Sequence, residues 1–440
     1  MKHIELIKSV VLILLIALSI TLSFSIWTYT PKYPTIEKQP TVDISISQKK
    51  TITDVIKPYK LLFNYEDGLK GTADAIEIDE FVGGLKNWMI SDLKLVDRNF
   101  DANKFADFAR EKNRLVLFFP AEVPLAIYSN LLNIEELNIP ETTFDRIIIE
   151  WNPVSTAMKV YFISRENNLL YSAKANLLDV QNFQQSILSS GNNYGKYAEV
   201  NPGKTPYIVV PVDRVELVRN TYSQGEISPS RFRDALFRDP NAVKRSQVEA
   251  NLNEFQDDRA IMTINTLTKD LDYVHPTAKS NELAIPSELL FDTFEFINEH
   301  GGWTGDFRFS YMDPLSRYVQ YQHYVHGLPV FSDTTSTQIE QTWGNDQVFR
   351  YKRPYYTLDS SLPSETEVKM LPSGIKVAEI LNESKEIDIN IVEEILPGYY
   401  LKHDREHNLF MLDPSWYYLI GGKWIRFSPE QFGGDAIGLE

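Results

Sequence analysis

The chain has 440 residues, a formal net charge of −16 and no cysteine. Without cysteine it has no disulfide, no thiolate metal ligand, no thiolate nucleophile and no thiol for lipid attachment. The acidic balance argues against nucleic acid and anionic lipid as ligands, because both require a basic protein surface. The length exceeds what one hydrophobic core usually holds, so we expect two or three domains.

An apolar run at residues 10–27 predicts a transmembrane helix. The run contains no charged side chain, and a helix of this length reaches roughly 27 Å, close to the hydrocarbon thickness of a bilayer. Lys2 and Lys8 precede it, which favours a cytoplasmic N-terminus, and the rings of Trp27 and Tyr29 are expected anchors at the outer interface. A cleaved signal peptide is the alternative, although the run is long for one.

Small and hydroxyl-bearing residues within this run are candidate contacts for other membrane helices, because they let two backbones approach closely. They are Ala17, Ser19, Thr21, Ser23 and Ser25. Ser19 and Ser23 share one face of the predicted helix, and Thr21 and Ser25 share another. The alternative is that the hydroxyl groups only bond back to their own helix.

The remaining sequence predicts an α+β body. The domain organisation that we predict is a cytoplasmic N-terminus (1–8), a transmembrane anchor (9–30), a proline-punctuated stalk (31–45) and three extracytoplasmic α+β domains (46–143, 144–280 and 281–440). Helices alternate with hairpins rather than with the single strands of β-α-β units. We therefore predict a multidomain body of antiparallel sheets with helices packed on one side.

Helices are predicted from apolar periodicity and capping residues. They are a helix behind Asp101 that carries Phe105, Phe108 and Ala109, the helix 124–132, a helix behind Asp179 that carries Val180, Phe183, Ile187 and Leu188, the helix 231–238, a helix from Pro286 that carries Leu290, Phe294 and Ile297 and ends at Gly301, and a helix behind Ser373 that carries Val377, Ile380 and Leu381.

Strands are predicted from short apolar or alternating runs bounded by turn residues. They are 114–119 ended by Pro120, 144–151, the hairpin of Met158–Ser164 with 169–175, 261–267, 272–275, 307–312, Tyr318–Val325, 347–358, 398–403, 407–412 and a hairpin about Gly421 and Gly422.

Histidine motifs in two places fit a structural role better than zinc binding. Residues 403–407 (HDREH) match an inverted zinc-protease motif, but that motif needs a helix and these flanks are typical of strands. We predict a polar hairpin tip instead. His323 and His326 are predicted to point to opposite faces of a strand, each as a structural histidine with its hydrogen bonds satisfied.

No other motif supports a cofactor or a catalytic site. Asp97, Asn99 and Asp101 begin like a calcium loop, but Ala102 and Phe108 occupy the positions that need glycine and glutamate. We assign no catalytic, cofactor-binding or metal-binding residue. An Asp/Glu pair for glycoside hydrolysis stays open, because among 60 carboxylates proximity in the sequence carries little information.

Six segments, in order along the chain, resemble the YycH (WalH) family of regulatory proteins. They are SIWTYTP (25–31), ALFRDPNAVKRS (235–246), FINEHGGW (296–303), HGLPVFS (326–332), YKRPYYTL (351–358) and DPSWYYLIGGKW (413–424). No single segment is specific, but the set spans nearly the full chain. FQDDRAIM (255–262) departs from the family's usual version, which contains tyrosine and glycine, and this departure affects one loop.

The resemblance implies a single-pass membrane protein with an extracytoplasmic body whose C-terminal domain is similar to YycI. Members of the family act with the sister protein YycI on the sensor histidine kinase WalK (YycG), which controls cell-wall metabolism together with the response regulator WalR. The resemblance further implies restraint of the kinase through contacts that include the membrane helices. It carries over no catalytic residue.

Two functions of other classes stay open from the residues alone. An anchored cell-wall hydrolase or wall-binding protein would need paired carboxylates or a metal ion in a cleft. An extracytoplasmic sensor would bind a small ligand between domains, in a cleft lined by some of the 23 tyrosines. Tyrosine is also a common half-buried strand residue, so its abundance does not by itself indicate a ligand.

Overall fold

The structure is a computed structural model that describes residue 19 and residues 47–428, with gaps at 137, 153–157, 178–182 and 385–386. The chain divides into two units, residues 1–44 and residues 45–440, and the helices and strands named below lie in the second.

Two helices begin at capping residues that the sequence predicts, Asp101 and Ser373. The α-helices of four or more described residues are α1 (Ile52–Val55), α2 (Ala75–Leu85), α3 (Ala102–Ala109), α4 (Leu125–Leu132), α5 (Pro229–Leu236), α6 (Pro286–Glu299) and α7 (Gly374–Glu383). The carboxylate of Asp101 accepts the Lys104 N–H at the start of α3, and the Ser373 hydroxyl accepts the Lys376 N–H at the start of α7. Both predicted caps are confirmed.

The helix predicted behind Asp179 is only partly described. Asp179 and Val180 lie outside the described residues. The described part is a π-helical turn, Phe183–Leu188, followed by a single short turn, Ser189–Gly191.

The first sheet has nine antiparallel strands. They are β1 (Lys60–Tyr65), β2 (Gly68–Thr72), β3 (Trp88–Asp97), β4 (Arg114–Pro124), β5 (Thr143–Glu150), β6 (Met158–Ser164), β7 (Leu169–Leu177), β8 (Gly195–Glu199) and β9 (Val209–Pro211), in the order β3-β7-β6-β5-β4-β1-β2-β8-β9. Pro120 does not end β4 as predicted. The pairing of β4 with β5 shifts register between Phe118 and Val123, and this irregularity removes the need for an N–H at the proline.

The second sheet has 15 strands. They are β10 (Val215–Glu226), β11 (Lys244–Glu249), β12 (Leu252–Gln256), β13 (Ile261–Asn265), β14 (Asp270–Val274), β15 (Asp306–Asp313), β16 (Tyr318–Val325), β17 (Leu328–Phe331), β18 (Gln338–Trp343), β19 (Val348–Pro354), β20 (Tyr356–Ser361), β21 (Glu367–Leu371), β22 (Glu394–Asp404), β23 (Leu409–Ile420) and β24 (Lys423–Arg426). Their main path is β11-β12-β13-β14-β19-β18-β16-β17-β22-β23-β10-β20, with β15, β21 and β24 paired to β16, β10 and β23.

Two strand predictions for the second sheet need correction. The pair β17–β22 is parallel, so the sheet is not purely antiparallel. The predicted strand 347–358 is two strands, because β19 pairs with β14 and β18 whereas β20 pairs with β10. The predicted central domain, 144–280, contributes strands to both sheets, and the domain boundaries stay predictions.

Helices cover both faces of the first sheet, which corrects the prediction that helices pack on one side. Neighbouring residues of β4 enter different cores. Leu117 packs with α2 and α4, whereas Val116 packs with Phe105 and Ala109 of α3. A strand that is apolar on both faces must be covered on both.

One hydrophobic core continues from the first sheet into the second through α6. Leu290 and Ile297 of α6 are fully buried, as the predicted apolar face requires. They share this core with Tyr128 of α4 and with Tyr321 of β16. Because α6 contacts both α4 and β16, it is the helix that joins the two sheets.

A buried ion pair joins the sheets at a second place. Nζ of Lys60 in β1 lies 3.1 Å from Oε2 of Glu394 in β22, and both side chains are buried. The Tyr59 hydroxyl donates to the same oxygen at 2.5 Å, and the Ile395 N–H donates to Oε1 at 3.0 Å. Burial opposes ionisation of Glu394, but Lys60 and the Tyr59 hydroxyl hold the pKa of its carboxyl below the ordinary value. The carboxylate is therefore ionised and paired.

Replacement of Lys60 by methionine tests this junction. The change removes the cation and leaves Glu394 buried without its partner. We expect K60M to lower the free energy of unfolding by about 3 kcal/mol, because breaking one side of a buried pair leaves an uncompensated charge. The double variant K60M/E394Q should recover part of the loss. Urea unfolding of the full chain in detergent measures both.

The matched control is Lys159→Met. Lys159 is 60% exposed and lies 3.4 Å from Glu150, so its ion pair is at the surface. Its loss should change the free energy of unfolding by less than about 1 kcal/mol. Similar losses for K60M and K159M would contradict the structural role of the buried pair.

Candidate functional site

The predicted membrane contacts lie almost wholly outside the described residues. Those not described are Ala17, Thr21, Ser23 and Ser25, with the anchors Trp27 and Tyr29. Ser19 is described, and it is helical and exposed. Within the part of the chain that the structure describes, no helix combines the length and the apolar character of a membrane span. The anchor and its contact faces stay predictions.

Residues 47–50 are the first described residues of the body, and they hydrogen-bond to Asn298 and Trp303. We call residues 47–50 together with Asn298 and Trp303 the N-terminal latch. The Lys50 N–H donates to Oδ1 of Asn298 at 2.9 Å, and Nδ2 of Asn298 donates to the Lys50 carbonyl at 3.1 Å. The Ser47 hydroxyl donates to the Trp303 carbonyl, and Nζ of Lys50 donates to the Gly305 carbonyl at 2.9 Å.

Asn298 is the central residue of the N-terminal latch. It is buried in the last turn of α6, and its Oδ1 also accepts the indole N–H of Trp303 at 2.8 Å. The first described residues after the predicted stalk are thereby fixed to the helix that joins both sheets. The sequence analysis missed Asn298 as a functional residue. The available signal was its place in FINEHGGW, one of the segments that carry the family resemblance.

Two of those segments meet at the N-terminal latch through Arg353 of YKRPYYTL. Arg353 is fully buried, and its Nη1 donates to the Gly302 carbonyl and to the Tyr351 hydroxyl. Its Nη2 donates to Thr304 at 2.6 Å. A Cβ at position 302 would lie 2.7 Å from Nη1, so glycine is required for this approach. Arg353 therefore fixes the chain that carries Trp303.

A cleft of about 680 Å³ lies between the two sheets, on the side of β4, β5, β15, β16 and β22–β24. Tyr311, Tyr318 and Trp424 line it from the second sheet, and Glu122 and Asp145 line it from the first. The sensor hypothesis expects a tyrosine-lined cleft between domains, and this cleft is lined by tyrosines and lies between the sheets. It also brings together two carboxylates, which the hydrolase hypothesis requires.

The environments of the two carboxylates differ. Asp145 is buried and accepts hydrogen bonds from Nε of Arg165 at 2.6 Å and from Nη1 of Arg146 at 3.1 Å. Glu122 accepts the Glu166 N–H at 3.1 Å. Burial, followed by repulsion from Asp145, raises the pKa of Glu122 to about 7. A glycosidase needs its second carboxylate free to act as nucleophile or base, whereas Asp145 is held by two arginines.

The HDREH segment lies at the tip of the β22–β23 hairpin, as predicted. Nε2 of His403 lies 2.5 Å from Oε1 of Gln224, and Nδ1 of His407 lies 2.8 Å from Oδ2 of Asp404. The two histidines thus have different partners. Among the described residues, no three His, Asp or Glu side chains gather in an arrangement that could hold a metal ion.

The acidic residues near α3 have structural partners. Asp101 caps α3. Asp97 lies 2.7 Å from Nζ of Lys104, and its Oδ1 accepts the Asn99 N–H at 2.8 Å. These contacts stabilise the turn between β3 and α3.

His323 and His326 line one cavity, so the prediction that they face opposite sides of a strand was wrong. Strand β16 ends at Val325, and His326 has a φ of 50° in the turn that follows. Strand alternation therefore does not reach His326. His323 is buried and stacks on Phe307 with ring centroids 4.8 Å apart. Its Nδ1 has no hydrogen-bond partner among the described residues, so the prediction of a satisfied histidine was wrong for His323. Nε2 of His326 lies 3.3 Å from the Tyr222 hydroxyl and 3.5 Å from Nδ2 of Asn220, so His326 has the hydrogen-bond partners that the prediction requires.

Replacement of Glu122 by glutamine tests the raised pKa in the cleft. The folded protein holds this proton more tightly than the unfolded chain does. The free energy of unfolding therefore falls as the pH rises from about 4.5 to about 7. Above pH 7 the contribution of Glu122 no longer changes, because the carboxyl is ionised in both the folded and the unfolded chain. We expect E122Q to raise the free energy of unfolding by on the order of 2 kcal/mol at pH 8 and to change it little at pH 4.

Urea unfolding at the two pH values measures the effect, with Glu166→Gln as the control. Glu166 lies on the same rim of the cleft and is exposed, so its replacement should change stability little at either pH. A gain for E122Q that is equal at both pH values would contradict the raised pKa.

Comparisons with known proteins cover both halves of the chain. The family models "YycH protein, N-terminal domain" and "YycH protein, C-terminal domain" match residues 5–190 and 206–431. The "Two-component system WalR/WalK regulatory protein YycH" of Bacillus subtilis (strain 168) is 21% identical to this chain in an alignment 443 residues long, gaps included. The alignment covers 97% of this chain and 97% of the relative. The crystal structure of YycH from Bacillus subtilis matches with a TM-score of 0.74 at 18% identity, over 87% of this chain and 99% of that one.

The solved structure shows that the sheet-rich α+β fold is shared. The two family models together include strands of both sheets. They also include residues 47–50 with Asn298 of the N-terminal latch, and Glu122 and Trp424 from the two sides of the cleft. The chain therefore belongs to the YycH family.

Proposed function

We propose that the protein is a non-enzymatic, membrane-anchored regulator of a WalK-type (YycG) sensor histidine kinase. It acts with a YycI-like sister protein and restrains the kinase, which controls cell-wall metabolism. The N-terminus is cytoplasmic, one helix spans the cell membrane, and the body is extracytoplasmic. Family membership over both halves supports the regulatory role, since a relative of nearly equal length is named as a WalR/WalK regulatory protein.

The N-terminal latch is the observation that carries the mechanism. Lys50 follows residue 30, the end of the predicted anchor, by 20 positions (50 minus 30). Hydrogen bonds from residues 47–50 fix the chain to α6 and to the segment after it. A partner that shifts the body therefore displaces the stalk directly rather than through a loose domain. The displaced stalk then moves the membrane helix relative to those of its partners.

The predicted span supports a contact by shape rather than by charge. It contains no ionisable side chain, so it offers no ion pair to a neighbouring helix. Ser19 with Ser23, or Thr21 with Ser25, presents a narrow face on which another helix backbone can pack closely.

The cleft supports the alternative, an anchored wall-binding protein or hydrolase, because it brings Glu122 and Asp145 together. The two arginines on Asp145 argue for the regulator instead, since they hold that carboxylate in a structural ion pair. Release of soluble fragments from purified peptidoglycan by the full chain, lost in D145N, would favour the hydrolase.

Leucine substitutions in the span test the regulator. We expect S19L/S23L or T21L/S25L, but not both, to raise kinase output toward the level of cells that lack the protein. The reason is that leucine on the contact face separates the two helices. A reporter gene under the response regulator measures the output, and an immunoblot of the membrane fraction measures the amount of protein.

Each pair of substitutions is the control for the other, because both add the same apolar volume to the same helix. If both pairs leave the output unchanged at normal protein levels, the span does not contact the kinase through either face.

A further inference from the structure

Strand β21 (Glu367–Leu371) is an open edge of the second sheet. Its five residues pair with β10 in unbroken register, and among the described strands no other pairs with it. Every residue of β21 is at least partly exposed. The backbone N–H and C=O groups on its free side are therefore available to another extended segment.

The other described edge strands carry features that hinder the addition of a strand. Strands β9 and β24 contain only three and four residues. Strands β3, β11, β15 and β20 each show a register shift against the strand with which they pair. Short length and bulges are common means by which proteins protect sheet edges. Strand β21 is longer than β9 and β24, contains no proline and shows no register shift.

One face of β21 is apolar and exposed. Val368 is 57% exposed and Met370 is 45% exposed. Because they are two positions apart in a strand, both side chains lie on the same face. Val218 of β10 lies opposite Val368 and is only partly buried. A further strand with the same pattern would shield these side chains from water through cross-strand contacts.

The opposite face of β21 carries two unlike charges. Nζ of Lys369 lies 2.9 Å from Oδ1 of Asp413. Glu367 lies two positions away on the same face, and its side chain is 60% exposed. Oε2 of Glu367 lies 3.4 Å from Nη1 of Arg219, which is a loose contact. This carboxylate is therefore available to a cation of another molecule.

A second copy of β21 complements this pattern in one antiparallel register. With a two-fold axis at Val368, this residue faces its own copy, and each Glu367 faces Lys369 of the other copy. An axis at Lys369 would instead set two like charges opposite each other. An axis between Val368 and Lys369 would put the apolar side chains of the two copies on opposite faces. Only the axis at Val368 pairs both unlike charges and keeps the apolar face continuous.

We propose that β21 is a self-association edge, through which two copies of the chain form a two-fold symmetric dimer with one continuous second sheet. Main-chain hydrogen bonds provide the affinity of such pairings, and the cross-strand side chains fix the register. The contact is small beside that of stable dimers, so the association is weak and depends on concentration. This dimer is separate from the regulatory role proposed above.

Cysteine crosslinking tests the register. The chain has no cysteine, so a single introduced thiol reports on its own position alone. In the proposed dimer the two Cα atoms of residue 368 lie about 4.5–5.5 Å apart, which a disulfide can span. We therefore expect the full-length V368C variant, in detergent under mild oxidation, to form a covalent dimer on a non-reducing gel.

Two matched controls separate this register from random collision. In the proposed dimer the Cα atoms of residue 370 in the two copies lie about 14 Å apart, which is too far for a disulfide. Val248 lies on the edge strand β11 and is 55% exposed, almost as exposed as Val368. M370C and V248C should each form a small fraction of the covalent dimer that V368C forms.

Charge reversal tests the pairing without a crosslink. In E367K a lysine faces Lys369 of the second copy, so we expect the dimer dissociation constant to rise about tenfold. Sedimentation velocity of the full chain in detergent, over a range of concentrations, measures it. The control is E216K, because Glu216 is exposed on the neighbouring strand β10 and faces no residue of the second copy. Thermal unfolding checks that both variants are folded.

Three results would overturn the proposal: no covalent dimer of V368C, equal yields of covalent dimer for V368C and M370C, or equal dissociation constants for E367K and the wild type. The measurements need no kinase and no sister protein. Their failure therefore leaves the proposed regulation standing, and a failure of the leucine substitutions in the span leaves the dimer standing.

Discussion

An ionised carboxylate sealed between two sheets is the constraint on which the architecture depends. Glu394 has little access to water, and Lys60 in the other sheet supplies its counter-charge. Sliding one sheet past the other, with their interface still closed to water, would part the two ions without solvating either, which costs about 3–5 kcal/mol. The shared core on both sides of α6 adds an apolar cost to the same movement. The two sheets therefore move as one body, whatever the number of domains from which the chain is built.

Because the two sheets form one body, the N-terminal latch fixes residues 47–50 to both sheets at once. Asn298 fixes the entering chain at the end of α6, the helix that packs against both sheets. A force on either sheet therefore reaches residues 47–50 through hydrogen bonds to α6. The tyrosine-lined cleft and the cavity that His323 and His326 line both lie beside strands β15 and β16, which follow α6 in the chain.

Local signals let the sequence predict local structure. The buried face of α6 and the Ser373 cap were confirmed because periodicity and capping act within a few residues. Features that depend on distant strands were missed. Pro120 lies inside β4 because a register shift accommodates it, and Lys60 meets Glu394 across 334 positions. Glu122 and Asp145 lie on paired strands, but no short-range pattern marks them as neighbours. The resemblance to a family supplied FINEHGGW, but only the structure showed why Asn298 within it matters.

The central claim is that the anchor of this body lies beside the membrane helices of a kinase and of a sister protein. Photo-crosslinking in intact membranes tests it most directly, with the photoreactive residue placed at position 19 or 23 of the predicted span. The account predicts that the crosslinked partners are a WalK-type kinase and a YycI-like protein. Recovery of neither, at normal protein levels and with efficient activation of the photoreactive residue, would contradict it.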